Sequence, residues 1–250
     1  MKKFHQTIMS NLLHEYLGAR GNLSLICVLY IIQFFKCKDI LEMGYWQGKT
    51  FGIMLEATQP HSSLTTVDIK FQMDLYNRHY ANSSVVKDKK INFVTMSSLD
   101  FVSDTKFDFI LVDVNLKMAT CSYGEHRYVD ENDIHTRYLD MIHASTLLSD
   151  QGILMVDGYR KFTKAIEDFL ECNHQLVPFL IDNEALYFHN INHNATEFLD
   201  VFLEQSLPPE FVSKHNIDYL GHTVKILKTL PIYVESKKDL FKTYCMLEDL

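Results

Sequence analysis

Four acids stand at the ends of apolar runs: Glu42 after Ile40-Leu41, Asp68 after Leu64-Thr65-Thr66-Val67, Asp113 after Phe109-Ile110-Leu111-Val112, and Asp157 after Ile153-Leu154-Met155-Val156. Open α/β sheets bind ligands beyond the carboxyl ends of their strands, so acids at those ends are the first candidates for chemistry. The stretch 39–50 is the most specific. It reads as a buried strand, the loop Gly44-Tyr45-Trp46-Gln47-Gly48, and a helix start. Gly44 lets the backbone turn sharply as it leaves the strand. Gly48 lets the backbone approach a ligand, or lets the helix lie close to the sheet. The helix N-terminus offers free N–H groups to an anion. Asp68 follows Gly48 by 20 residues and ends the next strand, where its carboxylate can accept two ribose hydroxyls. A strand, glycine loop, helix, strand and acid in that order form the nucleotide-binding half of a doubly wound α/β fold.

The elements that must position these residues are legible from their periods. Apolar patterning predicts strands over 38–43, 64–68, 91–96, 107–113 and 152–157, with helices over 47–58, 70–82, 129–147 and 160–172. In the helix 129–147, Ile134, Tyr138, Met141 and Leu147 form the inward stripe. Segments 175–181 and 185–189 flank Asp182-Asn183 and read as a closing hairpin. Upstream, 4–17 and 23–36 are predicted helices, the second capped by Asn22. Downstream, 195–205 and 236–248 are predicted helices, and 206–235 carries no clear pattern. The division is therefore 1–37 as N-terminal helices, 38–190 as the core, and 191–250 as a helical extension serving as a dimer arm, a substrate cap or plain packing.

Composition narrows the classes. The chain has 250 residues, which favours one domain with additions, and its 47% apolar content supports a full core. The net charge, 24 − 32 = −8, argues against a protein whose main task is gripping nucleic-acid phosphates. Five scattered cysteines without a Cys-x-x-Cys pair indicate neither a zinc site nor a disulfide framework, so free thiols in a reducing cytoplasm are expected. Lys2 and Lys3 precede no apolar run, which leaves no signal peptide. The apolar run 23–35 is 13 residues, too short to span a bilayer, so no membrane partner is expected.

Glu42-x-Gly44-x-x-x-Gly48 with Asp68 resembles motif I and the ribose acid of the class I S-adenosylmethionine (SAM) methyltransferases. The nicotinamide pattern Gly-x-Gly-x-x-Gly is absent, since Trp46 and Lys49 stand at its second and third glycine positions. The Tyr45-Trp46 pair is similar to the loop of the macrocin-type small-molecule O-methyltransferases. The resemblance covers residues 22–190 and implies a Rossmann-like, doubly wound seven-stranded sheet, mostly parallel with a C-terminal antiparallel hairpin strand, flanked by helices. It also implies that the N-terminal helices form a lid over the cofactor; covering a sheet face is the alternative.

The same resemblance implies site roles. Glu42 would orient the methionine part of SAM, or else simply hold the loop. Gly44, Tyr45 and Gly48 would line that part, and Trp46 would stack on the cofactor or roof its sulfonium, or else pack. Asp68 would hold the ribose, or else cap a helix, and Ile69 would lie on the adenine face. After the third strand the family often has an acid that reads the adenine amine. Here Met96-Ser97-Ser98-Leu99-Asp100 lacks it, so Ser97 or Ser98 must serve. Asp113-Val114-Asn115 and Asp157-Gly158-Tyr159 are similar to the Asp-x-Asp and Asp-Asp-Tyr of small-molecule O-methyltransferases, which implies Asp113, Asn115 and Asp157 as candidate Mg²⁺ ligands. Each second acid is altered. The loop 114–128 is where acceptors dock in the family. It carries His126, a candidate base beside Asp113 and Asp157, and Tyr128, which with Tyr159 would shape the pocket.

The leading expectation is O-methylation of a small molecule or sugar by a cytoplasmic SAM-dependent methyltransferase, with a homodimer as one form it could take. The chain lacks the Asn/Asp-Pro-Pro-Tyr/Phe of DNA amino-methyltransferases after the fourth strand. It also lacks the lysine of RNA ribose methyltransferases after the fifth, and both differences point away from nucleic acid. A non-catalytic SAM-binding module, an aminopropyltransferase and a nicotinamide oxidoreductase are the alternatives.

Overall fold

The computed structural model describes residues 22–46, 48–114, 131–182, 184–193, 195, 197–200 and 212–229. The predicted helices 4–17 and 236–248 lie outside them, as do Asn115, His126 and Tyr128. In chain order the elements are α1 (Asn22–Phe34), β1 (Asp39–Met43), α2 (Lys49–Ala57), β2 (Ser63–Asp68), α3 (Asp74–His79), β3 (Lys90–Thr95), β4 (Phe107–Val112), α4 (Glu131–Leu147), β5 (Leu148–Asp157), α5 (Thr163–Cys172), β6 (Leu176–Ile181), β7 (Ala185–Asn190), β8 (Val212–Tyr219) and β9 (His222–Thr229).

All nine strands form one sheet in the order β3-β2-β1-β4-β5-β7-β6-β9-β8. From β3 to β5 neighbouring strands run parallel, and β7 enters antiparallel between β5 and β6. The α/β doubly wound architecture is therefore the expected one, but the sheet has nine strands rather than seven. Alternate residues serve opposite faces. Ile40, Phe109, Leu111 and Met155 pack with α1 and α2, while Leu41, Ile110, Val112 and Val156 pack with α4 and α5. Central strands buried on both faces read as continuous apolar runs for this reason. Leu23, Cys27, Val28, Ile31 and Ile32 of α1 are buried, so this helix covers a sheet face. Among the described residues no helix is long and apolar enough to cross a membrane.

The two additional strands correct the helical extension expected after 190. The β8–β9 hairpin turns on Leu220 and Gly221, with φ of 52° and 79°. Positive φ at both central positions makes the two-residue turn that matches strand twist. Leucine at the first of them hides the turn, because Asn, Asp or Gly normally stands there. Asp218 assists by accepting a hydrogen bond from the Gly221 N–H at 3.0 Å. Ile217 packs beside the core, Val224 and Ile226 are buried in it, and β9 runs parallel to β6 with Ile181 opposite Ile226.

A buried carboxylate ties α1 to the sheet. Asp182, in the β6–β7 turn, accepts from the Ser24 hydroxyl at 2.7 Å, the Tyr187 hydroxyl at 2.6 Å, and the Glu184 and Ala185 N–H groups, each at 2.8 Å. Burial raises the Asp182 pKa, and these four bonds oppose the rise by favouring the charged form. Tyr187→Phe removes the 2.6 Å hydrogen bond to Asp182 Oδ2 in a fully buried place. The expected loss is about 1–3 kcal/mol, read from urea unfolding. A change below about 0.5 kcal/mol, the range of ordinary surface substitutions, would contradict the role.

Candidate functional site

The strand order reverses between β1 and β4, because the chain proceeds from β1 toward β3 on one side and from β4 toward β5 on the other. The carboxyl ends of these strands border a crevice at that switch point, the usual ligand position in open α/β sheets. Gly44 lies at its centre with φ of 95°, and a Cβ there would stand 2.4 Å from the Asp113 carbonyl oxygen. Only glycine lets the β1 loop approach the end of β4 this closely. Gly48 begins α2 at φ 74°, beneath the Tyr45 ring, where a Cβ would stand 2.3 Å from that ring.

Tyr45 turns inward. It is 3% exposed and meets Phe51, Phe71 and Phe93 edge-on at centroid distances of 5.7, 5.1 and 5.6 Å. Its ring anchors the loop in the core, so only its backbone borders the crevice. Trp46 has φ of 44°, a left-handed conformation rare for a bulky residue. Asp68 holds this geometry. Its Oδ2 accepts from the Tyr45 N–H at 2.7 Å and the Trp46 N–H at 3.1 Å, and its Oδ1 accepts from the Lys70 N–H at 3.1 Å. It does not cap α3, whose N-cap is Met73.

Glu42 is 1% exposed and accepts from the Thr66 hydroxyl at 2.8 Å. Burial raises its pKa, the Thr66 bond opposes this, and the Asp113 and Asp68 charges add to it. The Phe51 N–H, in the first turn of α2, also favours the charged form. Glu42 therefore braces the loop and the helix start from behind. On the other side of Asp68, Ile69 is 59% exposed, with its side chain free to meet a ligand. Ser97 accepts from the Leu99 N–H at 3.3 Å and caps the short turn Ser98–Asp100. Ser98 is buried and donates to Asp140 Oδ1 at 2.6 Å, so its hydroxyl faces α4 rather than the crevice.

Asp113 and Asp157 meet across the ends of β4 and β5 and share a hydrogen bond. Burial pushes Asp113 up to about 6, opposed by the Arg137 and Lys161 charges and by the Asp157 bond, with Asp68 adding to the rise. Asp157 is pushed up well above its usual range by burial and then by Asp113. Burial thus pushes both carboxyls toward the protonated form, and the pair titrates as a unit. Beyond β5, Gly158 takes φ of 67°, and Tyr159 donates its N–H to the Glu184 carbonyl at 3.2 Å.

Arg137 and Asp140 on α4 were not among the expected site residues. Both are buried, at 2% and 0% exposure. Arg137 donates to the Val112 and Val114 carbonyls at 2.6 and 2.8 Å, and its Cζ lies 4.3 Å from the Phe162 ring centroid. The signal available in the sequence was a charged pair at i and i+3 on the stripe that also carries Met141 and Ala144. Among the described residues no three His, Cys, Asp or Glu side chains converge as metal ligands. Arg137 and Lys161 already place positive charge beside Asp113, so the described donors do not fit Mg²⁺.

The rise at Asp113 has a pH consequence. A carboxyl whose folded pKa lies above its ordinary 3.8 contributes stability that is present below about pH 4 and is lost as the pH rises through about 6. Asp113→Asn lacks this titration. Its stability relative to wild type is expected to improve from pH 4.5 to 7.5 in urea unfolding, and a flat difference would contradict the assignment.

Neither the family models nor the curated proteins give a match to this sequence. Solved structures do match in shape. An rRNA-methylase-designated protein from Clostridium thermocellum aligns at TM-score 0.52 and 12% identity, over 67% of this chain and 97% of that one. The S-adenosylhomocysteine-bound methyltransferase PaMTH1 from Podospora anserina aligns at 0.50 and 13%, over 76% and 88%. A protein designated an O-methyltransferase from Klebsiella pneumoniae aligns at 0.50 and 12%, over 76% and 90%. Identities this low speak for the fold alone, and the chain accordingly has the fold of the class I SAM-dependent methyltransferases.

Proposed function

We propose that this protein is a SAM-dependent methyltransferase acting on an oxygen of a small molecule or sugar. The observation that carries this reading is where the loop N–H groups go. In a site for a dinucleotide, the glycine loop and the helix N-terminus are open to a diphosphate. Here Asp68 takes the N–H groups of Tyr45 and Trp46, and the buried Glu42 carboxyl lies behind the helix start. The carboxylates Asp68 and Asp113 lie at the same crevice. At separations of order 8 Å and an effective dielectric near 20, each repels a phosphate charge by roughly 2 kcal/mol. A nucleoside bearing a sulfonium meets attraction there instead.

The residues present fit that cofactor. The Gly44–Gly48 backbone would border its methionine part, Asp68 Oδ1 retains acceptor capacity for a ribose hydroxyl, and Ile69 and Ser97 flank the place for the adenine. When bound, the cofactor supplies a methyl carbon activated by positive sulfur, so the protein needs few catalytic groups. This chain holds the acceptor hydroxyl in line with that carbon and takes its proton. Asp113 is the described group suited to receive it, because burial pushes its carboxyl up to about 6, within reach of neutral pH. His126 is the alternative base. A cytoplasmic location and a small-molecule acceptor belong to the same proposal.

Titration calorimetry with S-adenosylhomocysteine tests the cofactor. Micromolar binding, about −8 kcal/mol, is expected, weakened by roughly 1–3 kcal/mol in Asp68→Ala, which loses both the loop contacts and the ribose acceptor. No heat of binding in the wild-type protein would refute the reading.

A further inference from the structure

We propose that Arg137 is the positioning residue of the crevice, setting the glycine loop through the two carbonyls that flank Asp113. The name of the ligand rests on the methyltransferase reading; the effect on the loop does not.

A buried guanidinium is costly unless its donors are satisfied. Arg137 has Asp113, Asp140 and Asp157 around it as charges, yet its two hydrogen bonds go to the carbonyls of Val112 and Val114. These oxygens belong to the residues on either side of Asp113, at the point where β4 ends. One rigid fork holding both fixes the chain direction between them, and with it the Asp113 carbonyl that faces Gly44. A Cβ on Gly44 would stand 2.4 Å from that oxygen, so the β1 loop rests directly on it. Any rotation of the Val112–Val114 segment must therefore move the loop. Phe162 covers the guanidinium face, which helps to hold the fork in place.

Packing alone does not require an arginine here. Met141, Ala144 and Leu147 already seat α4 against the sheet, and an apolar side chain of similar length would fill the space without a buried charge. Asp140, at i+3, reaches the other way and accepts from the Ser98 hydroxyl at 2.6 Å. Among the described residues, Nε of Arg137 and Oδ2 of Asp140 have no hydrogen-bond partner. The two residues thus do not satisfy each other, and each is turned toward a different loop of the crevice. Lysine has a single nitrogen and cannot hold two carbonyls in a fixed fork, so it is expected to replace arginine only in part.

The test uses the sole tryptophan, Trp46, two residues beyond Gly44. Arg137→Met and Arg137→Lys are compared with wild type below their melting temperatures, where all three are folded. Acrylamide quenching of Trp46 reads the loop without any ligand, and S-adenosylhomocysteine titration reads the crevice. The expected result for Arg137→Met is stronger quenching, by half or more, and at least tenfold weaker binding, with Arg137→Lys intermediate in both. A lower melting temperature with wild-type quenching, or with binding within twofold, overturns the proposal, since a merely structural arginine would give that pattern. If wild type itself does not bind, the methyltransferase reading fails and the quenching alone decides the role of Arg137. If the methionine variant does not fold, the lysine variant decides by the same two readings.

Discussion

Asp68 Oδ2 accepts two successive backbone N–H groups, those of Tyr45 and Trp46, and the form of the crevice follows from that pair of bonds. They draw the glycine loop onto the end of β2 and hold Trp46 at a positive φ that a bulky residue would not adopt unaided. The Tyr45 ring, driven inward by the same turn, lodges among Phe51, Phe71 and Phe93. Gly48 then lies beneath that ring with no room for a side chain. Charge-assisted hydrogen bonds are roughly twice as strong as neutral ones, which suits an acid rather than an amide at position 68. A ligand that uses Asp68 meets a carboxylate already oriented by the loop it supports.

The second constraint is electrostatic. Glu42, Asp68, Asp113 and Asp157 gather at the carboxyl ends of four strands, and they are not equivalent. Glu42 is buried behind the loop and Asp68 latches it. Asp113 and Asp157 share a hydrogen bond, with burial raising both. The positive charge of Arg137 enters from beneath through α4, and that of Lys161 from beyond β5. Burial pushes both carboxyls toward the protonated form while the Arg137 and Lys161 charges hold Asp113 back, an arrangement that can take a proton near neutral pH. Acidic surroundings of this kind suit a positively charged ligand and work against a diphosphate.

Much of this could be read before any coordinates. The strands β1 to β5 show as apolar runs because both faces are covered, and their closing acids and the glycine spacing locate the switch point. The features that escaped share a physical cause: their side chains take directions that a linear pattern does not encode. Tyr45 looks like a ligand-facing aromatic but turns into the core. Ser98 looks like an adenine contact but is claimed by Asp140. Arg137 and Asp140 look like surface charges on an amphipathic helix, since burial of a charge depends on partners supplied by distant segments, here the end of β4 and the turn at Ser98. The β8–β9 hairpin escaped because Leu220 adopts a backbone conformation normally left to Asn, Asp or Gly.

The most direct test of the account sets two nucleotide classes against each other on the intact protein. Melting is followed with S-adenosylhomocysteine and, separately, with NAD⁺, each at matched concentrations up to the millimolar range. A ligand at about one hundred times its Kd stabilises by roughly 2.7 kcal/mol, which raises the melting temperature of a chain of this size by about 5–10 °C. The account predicts that shift for S-adenosylhomocysteine and none for NAD⁺. A shift with NAD⁺ and none with S-adenosylhomocysteine would contradict it, because the loop N–H groups would then be open to a diphosphate after all.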